Sequence, residues 1–138
     1  MTCQEIYDIT MALMDEMLDN GNVDYASTKD YTARTPGILT ILQTQVVMFL
    51  KRFGTDIDTL EPLTSMEDEV DLDQNICTGV LPYGLAARLL GQEDKELASY
   101  FSNLYDSNLA IAKDSVEGKY IAKQKPRDNV YGLFRAGD

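Results

Sequence analysis

The stretch that decides the fold is residues 81–112, which read LPYGLAARLLGQEDKELASYFSNLYDSNLAIA. Apolar residues recur at helical spacing before and after a short polar break. The two apolar series are Ile76, Val80, Tyr83, Ala87 and Leu90, then Leu97, Phe101, Leu104 and Ile111. Gly91 suits the left-handed position that ends many helices, and Asp94 suits the N-cap of the next helix. Because the connection is short, the sequence predicts two helices packed antiparallel.

The two helices of this hairpin carry further signals. Pro82 lies inside the first and removes a backbone hydrogen bond, so we expect a bend in a helix that begins near residue 73 or 74. This helix contains three residues with little or no side chain, Gly84, Ala86 and Ala87. We therefore expect the backbone of another segment to come close to it. The second helix is expected to end near Val116, with Tyr100 and Tyr105 beside its apolar stripe as core anchors.

Two helices are predicted before the hairpin. Thr2 and Glu5 have capping-box spacing, so the first helix is expected over residues 2–19. Its apolar side consists of Ile6, Ile9, Leu13, Met14 and Met17. The second helical region runs from about residue 28 to residue 53. Pro36 interrupts this region, and two alternatives stay open: a kink, or a restart with Thr35 as the cap of a new helix.

The apolar positions of the second region cover more than half of the helical wheel. They are Ile38, Leu39, Ile41, Leu42, Val46, Phe49, Leu50 and Phe53. A helix that is apolar on most sides is typical of a buried position. The sequence therefore predicts that this is the central and most buried helix.

Residues 54–73 form a long acidic loop. Its acids are Asp56, Asp58, Glu61, Glu67, Asp68, Glu69, Asp71 and Asp73, and the segment contains no Lys or Arg. The pattern from Asp71 onward begins like a calcium-binding loop, but Ile76 stands where that loop requires glycine. We expect no metal site, and a solvated loop with a short extended piece around residues 66–72.

Composition sets limits on the class of protein. The chain has 138 residues, 44% of them hydrophobic, and 23 acids against 12 bases give a net charge of −11. These values predict one globular domain whose acidic surface repels nucleic-acid phosphates and anionic lipids. With the helical periodicities above, the fold class predicted is all-α, a bundle of four to five helices. No stretch is long enough to span a bilayer and no signal segment opens the chain, so we expect a cytosolic location without membrane contact. Cys3 and Cys77 are expected to remain free thiols.

The chain contains no histidine. Histidine is the commonest general base and the commonest metal ligand, so its absence weighs against catalysis. The glycines are scattered and form no phosphate-binding loop, and no serine, threonine or cysteine has a histidine base. We expect a non-enzymatic protein with no catalytic residues, no cofactor and no metal.

The character of the chain changes after residue 116. Residues 1–116 carry a net charge of −13, whereas the tail 117–138 is net positive by two. The division predicted is therefore a helical bundle domain, 1–116, and an extended C-terminal tail, 117–138. Residues 129–134 of the tail, NVYGLF, form an apolar patch, and exposing such a patch to water is unfavourable. The tail is therefore expected either to fold back on its own bundle or to dock on a neighbouring subunit. The candidate interface residues of this arm are Arg127, Val130, Tyr131, Leu133, Phe134 and Arg135.

Three stretches suggest a family: IYDITMALMDE with the following DYTARTPGILTILQTQV, then LPYGLAARLLGQEDKELASYFSNLYDSNL, and the C-terminal DNVYGLF. Together they resemble small head–tail connector (adaptor) proteins of tailed bacteriophages and prophages. The resemblance implies a helical protomer that assembles as a homo-oligomeric ring at the portal vertex. Its partners would be other copies of itself, the portal, and head-closure or tail proteins. It also implies a virion structural protein that is found in the host cytoplasm during assembly and later in the virion.

The expected function is thus a non-enzymatic connector through which DNA passes without being gripped specifically. An acidic lining would repel phosphates and let the duplex slide. The alternative is an acidic protein-binding module, such as a DNA mimic that inhibits a basic host partner. A small enzyme is a third possibility, and the sequence names no pocket of convergent carboxylates for it.

Deletion of residues 129–138 separates the two expectations for the tail. If the tail is an intersubunit arm, the shortened chain keeps the melting temperature of the full chain, because the bundle does not depend on it. A sharp fall in the melting temperature of the monomer, measured by circular dichroism, would instead place the tail in the core.

Overall fold

The computed structural model describes residues 1–17 and 25–120, with side chains for residues 1–14 and 30–114. This part of the chain forms five α-helices. They are α1 (Cys3–Met17), α2 (Tyr25–Arg52), α3 (Gln74–Gly79), α4 (Leu81–Leu89) and α5 (Lys95–Tyr120). Within the described ranges the β-structure amounts to one isolated antiparallel bridge, between Thr2 and Glu69. The prediction of an all-α bundle of four to five helices is confirmed.

The short helix α4 lies at the centre of the bundle. It packs against α1, α2, α3 and α5, and its most extensive contact is with α5. Six of its nine residues are buried: Leu81, Pro82, Gly84, Leu85, Ala86 and Leu89. The prediction that the second helical region is the most buried helix is therefore wrong. That region is α2, and it packs on one side of α4 with its opposite side in solvent.

The α4–α5 pair is the antiparallel hairpin predicted from residues 81–112. The amide of Asn108 in α5 donates to the carbonyl of Gly79 at the start of the pair. Further along, the ring of Tyr105 lies against Gly84. As the residue number increases from Gly79 to Gly84, the residue number of the α5 partner decreases from Asn108 to Tyr105, as expected for an antiparallel pair. The N-cap prediction is also confirmed, because the Asp94 carboxylate accepts the backbone N–H of Leu97 at 3.0 Å.

The capping box of α1 forms as its spacing predicted. The backbone N–H of Glu5 donates to the Thr2 hydroxyl at 3.1 Å, and the backbone N–H of Thr2 donates to the Glu5 carboxylate at 2.9 Å. These two bonds satisfy backbone donors that a helix start leaves open. Asp73 caps α3 in a similar way through the N–H of Asn75.

The effects of proline and glycine on the helix boundaries differ from those expected. The helix expected to bend at Pro82 is divided at Val80 instead, whose φ of −123° and ψ of −56° are not helical. Pro82 then occupies the first turn of α4, where its missing N–H costs nothing. Pro36 lies inside the single helix α2, so the restart alternative is wrong. Gly91 does not adopt the left-handed conformation; among the glycines described, Gly54 does, at φ 90°.

Part of the acidic loop is folded onto the bundle. Residues 66–70 run beside the N-terminus, where the N–H groups of Cys3, Gln4 and Val70 donate to carbonyls of Asp68, Met66 and Met1. Of the extended piece predicted around residues 66–72, Glu69 pairs with Thr2 in the β-bridge, whereas residues 65–68 form a turn. The loop is less solvated than expected, because Leu63, Val70 and Leu72 are buried in the core.

Two assignments within α5 are wrong. Ile111 is 68% exposed and Tyr100 is 47% exposed, although both were expected to face the core. Among the α5 side chains that the structure describes, residues 95–114, the buried ones are Phe101, Tyr105, Leu109 and Ala112. Tyr105 meets the expectation of an anchor, because its ring is buried and its hydroxyl donates to the Gln45 side-chain oxygen at 3.1 Å.

The close contact at Gly84 generates a stability prediction. A Cβ there would lie 2.8 Å from Tyr105 Cδ1 and 3.1 Å from Leu42 Cδ1. Overpacking costs about 1–3 kcal/mol, whereas Gly to Ala in a helix gains about 1 kcal/mol. Gly84→Ala is therefore expected to lower the free energy of unfolding, measured by urea titration.

Gly37→Ala is the matched control. Gly37 also lies inside a helix, but a Cβ there would meet nothing within 4 Å. It is expected to raise the free energy of unfolding by up to about 1 kcal/mol. An equal rise in the free energy of unfolding for both variants would show that Tyr105 and Leu42 can move to accommodate a Cβ at Gly84. The prediction of overpacking at Gly84 would then be wrong.

Candidate interaction surface

Helix α2 presents apolar side chains to solvent. Ile41 is 46% exposed and Met48 is 65% exposed, and Ile38 beside them is half-buried. These positions recur on one side of the helix, together with Arg34 before them and Arg52 after them. We call the surface formed by Arg34, Ile38, Ile41, Met48 and Arg52 the α2 face. Large exposed apolar groups that share one helix side mark an interaction site more often than scattered ones do.

The opposite side of α2 holds the α2 face in place. Leu39, Leu42, Val46 and Leu50 are buried against the rest of the bundle. Polar side chains of the same helix fix the acidic loop, because Gln43 donates to the Glu61 carbonyl at 2.6 Å. The Thr40 hydroxyl also accepts the N–H of Leu63 at 2.9 Å. These bonds fix one edge of α2 to the acidic loop, and on the other edge the Gln45 side-chain oxygen accepts the Tyr105 hydroxyl of α5 at 3.1 Å.

The charge of the α2 face is opposite to that of the protein as a whole. From residue 31 to residue 52 the sequence contains no acid and three bases, Arg34, Lys51 and Arg52. Arg34 is partly engaged, since it donates to the Asp30 carboxylate at 2.8 Å and to the Arg88 carbonyl at 3.1 Å. In a chain with a net charge of −11, this surface fits an apolar partner that carries carboxylates.

A hollow adjoins the α2 face where α2 meets the α4–α5 turn. Its volume is about 690 Å³, and its lining includes Ile38, Ile41, Arg34 and Arg88. The Tyr31 hydroxyl donates to the Glu93 carboxylate at 2.7 Å and ties α2 to the α4–α5 turn. Burial, and then this bond to a carboxylate, raise the pKa of Tyr31 well above its ordinary value. Tyr31 therefore stays a neutral hydrogen-bond donor.

A second hollow, of about 540 Å³, lies on the acidic loop. Five carboxylates line it together with apolar groups of the loop: Asp58, Glu61, Asp68, Glu69 and Asp71. Asp68 accepts the backbone N–H groups of Thr64 and Ser65, and these bonds lower its pKa. A carboxylate held ionised in this way stabilises the turn and is a poor proton donor.

The two cysteines of the chain are protonated thiols in the structure. The thiols of Cys3 and Cys77 are buried, and burial raises the pKa of each to about 11. They are therefore protonated at neutral pH, whereas a nucleophilic cysteine requires the thiolate. Within residues 1–17 and 25–120, no three Cys, Asp or Glu side chains are grouped so that they could hold a metal ion.

The candidate arm residues predicted from the sequence lie outside the described residues. They are Arg127, Val130, Tyr131, Leu133, Phe134 and Arg135. The α2 face was missed, although a signal for it was present. The apolar positions of α2 spanned more of the wheel than one buried side can use, and the surplus, Ile41 and Phe53, lies in solvent.

Comparison with known proteins adds no relative. The chain matches no family model, no curated protein and no solved structure. In the part of the chain that the structure describes, no helix has the length and apolar character required to cross a membrane.

Because Met48 lies on the α2 face and Leu42 on the buried side of the helix, substitutions at the two positions are expected to change the free energy of unfolding by different amounts. Met48→Gln should change the free energy of unfolding of the monomer by no more than about 0.5 kcal/mol, as exposed sites do. Leu42→Ala, on the buried side of the same helix, should cost about 2–5 kcal/mol. Urea titration of dilute protein measures both values. A cost for Met48→Gln as large as that for Leu42→Ala would mean that Met48 belongs to the core.

Proposed function

We propose that this protein is a non-enzymatic structural protein that functions by packing against other proteins, and specifically a head–tail connector of a tailed bacteriophage. The observation that carries the proposal is the α2 face, where Ile41 and Met48 are exposed on a rigid helix between two arginines. A structural subunit requires such a surface, and an isolated globular protein gains nothing from it.

The resemblance of three sequence stretches to connector proteins adds the particular class. The net charge of −11 is consistent with it, since a ring with acidic walls repels the phosphates of passing DNA. In this proposal the copies form a ring at the portal vertex. They contact the portal on one side and head-closure or tail proteins on the other.

A second candidate is an acidic module that occupies a basic groove on a host protein. The observation that favours it is the hollow on the acidic loop, where carboxylates of Asp58, Glu61 and Asp71 are gathered on one side of the molecule. The acids lie in a loop and are not spaced along one exposed helix, as a mimic of the DNA backbone would require. The connector therefore remains the main proposal.

Co-expression with the portal protein of the genome that encodes this chain tests the proposal. A connector is expected to purify with the portal as a complex of large, defined mass in light scattering, visible as a ring by electron microscopy. Met48→Asp should weaken the complex if the α2 face contributes to it. A chain that never joins the portal, and instead binds a basic host protein, would replace the connector with the acidic module.

A further inference from the structure

Helix α5 carries a second exposed apolar surface. Tyr100 is 47% exposed and Ile111 is 68% exposed, and the half-buried Leu104 lies between them. On the helical wheel these three fall on one side, with the exposed acids Glu96 before them and Asp114 after them. The Asp114 carboxylate also pairs with the Lys113 ammonium of the same helix at 3.1 Å. We call the surface formed by Glu96, Tyr100, Leu104, Ile111 and Asp114 the α5 face.

The α5 face and the α2 face match in spacing and are opposite in charge. Arg34 and Arg52 are 18 residues apart, and so are Glu96 and Asp114, which is about 27 Å along a helix at 1.5 Å per residue. Between these charges Ile41 and Met48 are seven residues apart, as are Leu104 and Ile111. Two helical segments of equal length thus present apolar centres, flanked by arginines in α2 and by carboxylates in α5.

One copy cannot bring its own two faces together. The side of α5 that is directed to α2 carries Asp106, which lines a cleft with Leu42 and Gln45. It also carries Lys113, whose ammonium lies 4.9 Å from the centre of the Phe53 ring. At 3.6 residues per turn, this side is roughly 150° around the helix from Tyr100, Leu104 and Ile111. The α5 face is therefore directed away from α2 and is open to another molecule.

We propose that the α2 face of one copy packs against the α5 face of the next copy of this chain. The apolar centres exclude water, and the flanking arginines meet carboxylates at both ends. Exposed ion pairs add little affinity, but they select the partner and the register. This inference rests on the proposed function, because it names the surfaces through which the connector subunits would join.

Pairing of identical faces is disfavoured by the same charges. Two α2 faces related by a twofold axis would place Arg34 opposite Arg52, and two α5 faces would place Glu96 opposite Asp114. Like charges in contact are destabilising. The contact is therefore heterologous, with a different surface on each side. Such a contact repeats from copy to copy until it closes a ring or extends as a filament.

Two single variants that each block one face test the inference. Met48→Asp places a carboxylate in the α2 face, and Ile111→Asp places one in the α5 face. Both sites are mostly exposed, so folding should be retained, and circular dichroism checks it. Each variant alone is expected to lose self-association by at least about tenfold in sedimentation equilibrium. An equimolar mixture should form a dimer and stop there, since only one intact face of each kind remains.

The control for an added surface charge is Ala12→Asp, on the exposed side of α1. It should associate like the unmodified chain. Charge reversal supplies a rescue: Arg52→Glu should weaken association, and Asp114→Arg in the same chain should restore it if the helices run parallel. Glu96→Arg should restore it if they run antiparallel.

The inference is overturned if the unmodified chain remains a monomer at the highest concentration measured. It is also overturned if the Ile111→Asp variant still dimerises with itself, because the contact would then pair identical α2 faces. Either result leaves the portal co-expression experiment to decide the proposed function. Conversely, assembly through these faces without any binding to the portal would retain the inference and reject the connector.

Discussion

The contact of Tyr105 with Gly84 is the constraint on which the arrangement of the helices depends. Without a side chain at Gly84, the ring of Tyr105 lies against the backbone of α4, and Leu42 of α2 lies against the same position. Three helices thus meet at one position, and the Tyr105 hydroxyl is satisfied by Gln45 of α2. Because burial removes this ring from water, and Asp106 lies nearby, the pKa of Tyr105 rises to about 12, so the hydroxyl remains a donor at neutral pH.

The acidic loop has a structural role that its composition conceals. It leaves the end of α2, passes over Thr40 and Gln43 of the same helix, and pairs with the N-terminus before α3 begins. Its apolar residues Leu63 and Val70 close the core on that side. A connection without regular structure persists here because its backbone groups find partners in α2 and in residues 1–4. Most of its carboxylates lie in solvent, whereas Asp68 accepts N–H groups of the turn and Asp73 caps α3.

Local chemistry made part of this structure predictable from the sequence. The caps at Thr2 and Asp94 and the hairpin of residues 81–112 depend on neighbours a few residues away, so their spacing was sufficient. Which helix lies at the centre depends on partners far along the chain. The apolar breadth of α2 suggested burial, yet the small α4 takes the centre because Gly84 and Ala86 allow close approach. Ile111 and Tyr100 were misplaced for the same reason, since both sides of α5 are apolar enough to pack.

The exposed apolar residues of α2 and α5 are informative about function. An apolar residue that fits the helical period but lies in solvent is unfavourable for a chain that acts alone, and four such residues fall on two helices: Ile41, Met48, Tyr100 and Ile111. A surface rich in charge elsewhere keeps the free chain soluble. In the proposed contact, Arg34 and Arg52 flank the apolar side of α2, and Glu96 and Asp114 flank that of α5, so these charges would distinguish the correct neighbour from a wrong one. The sequence pattern that misled the assignment of the core is thus the pattern that an assembling subunit requires.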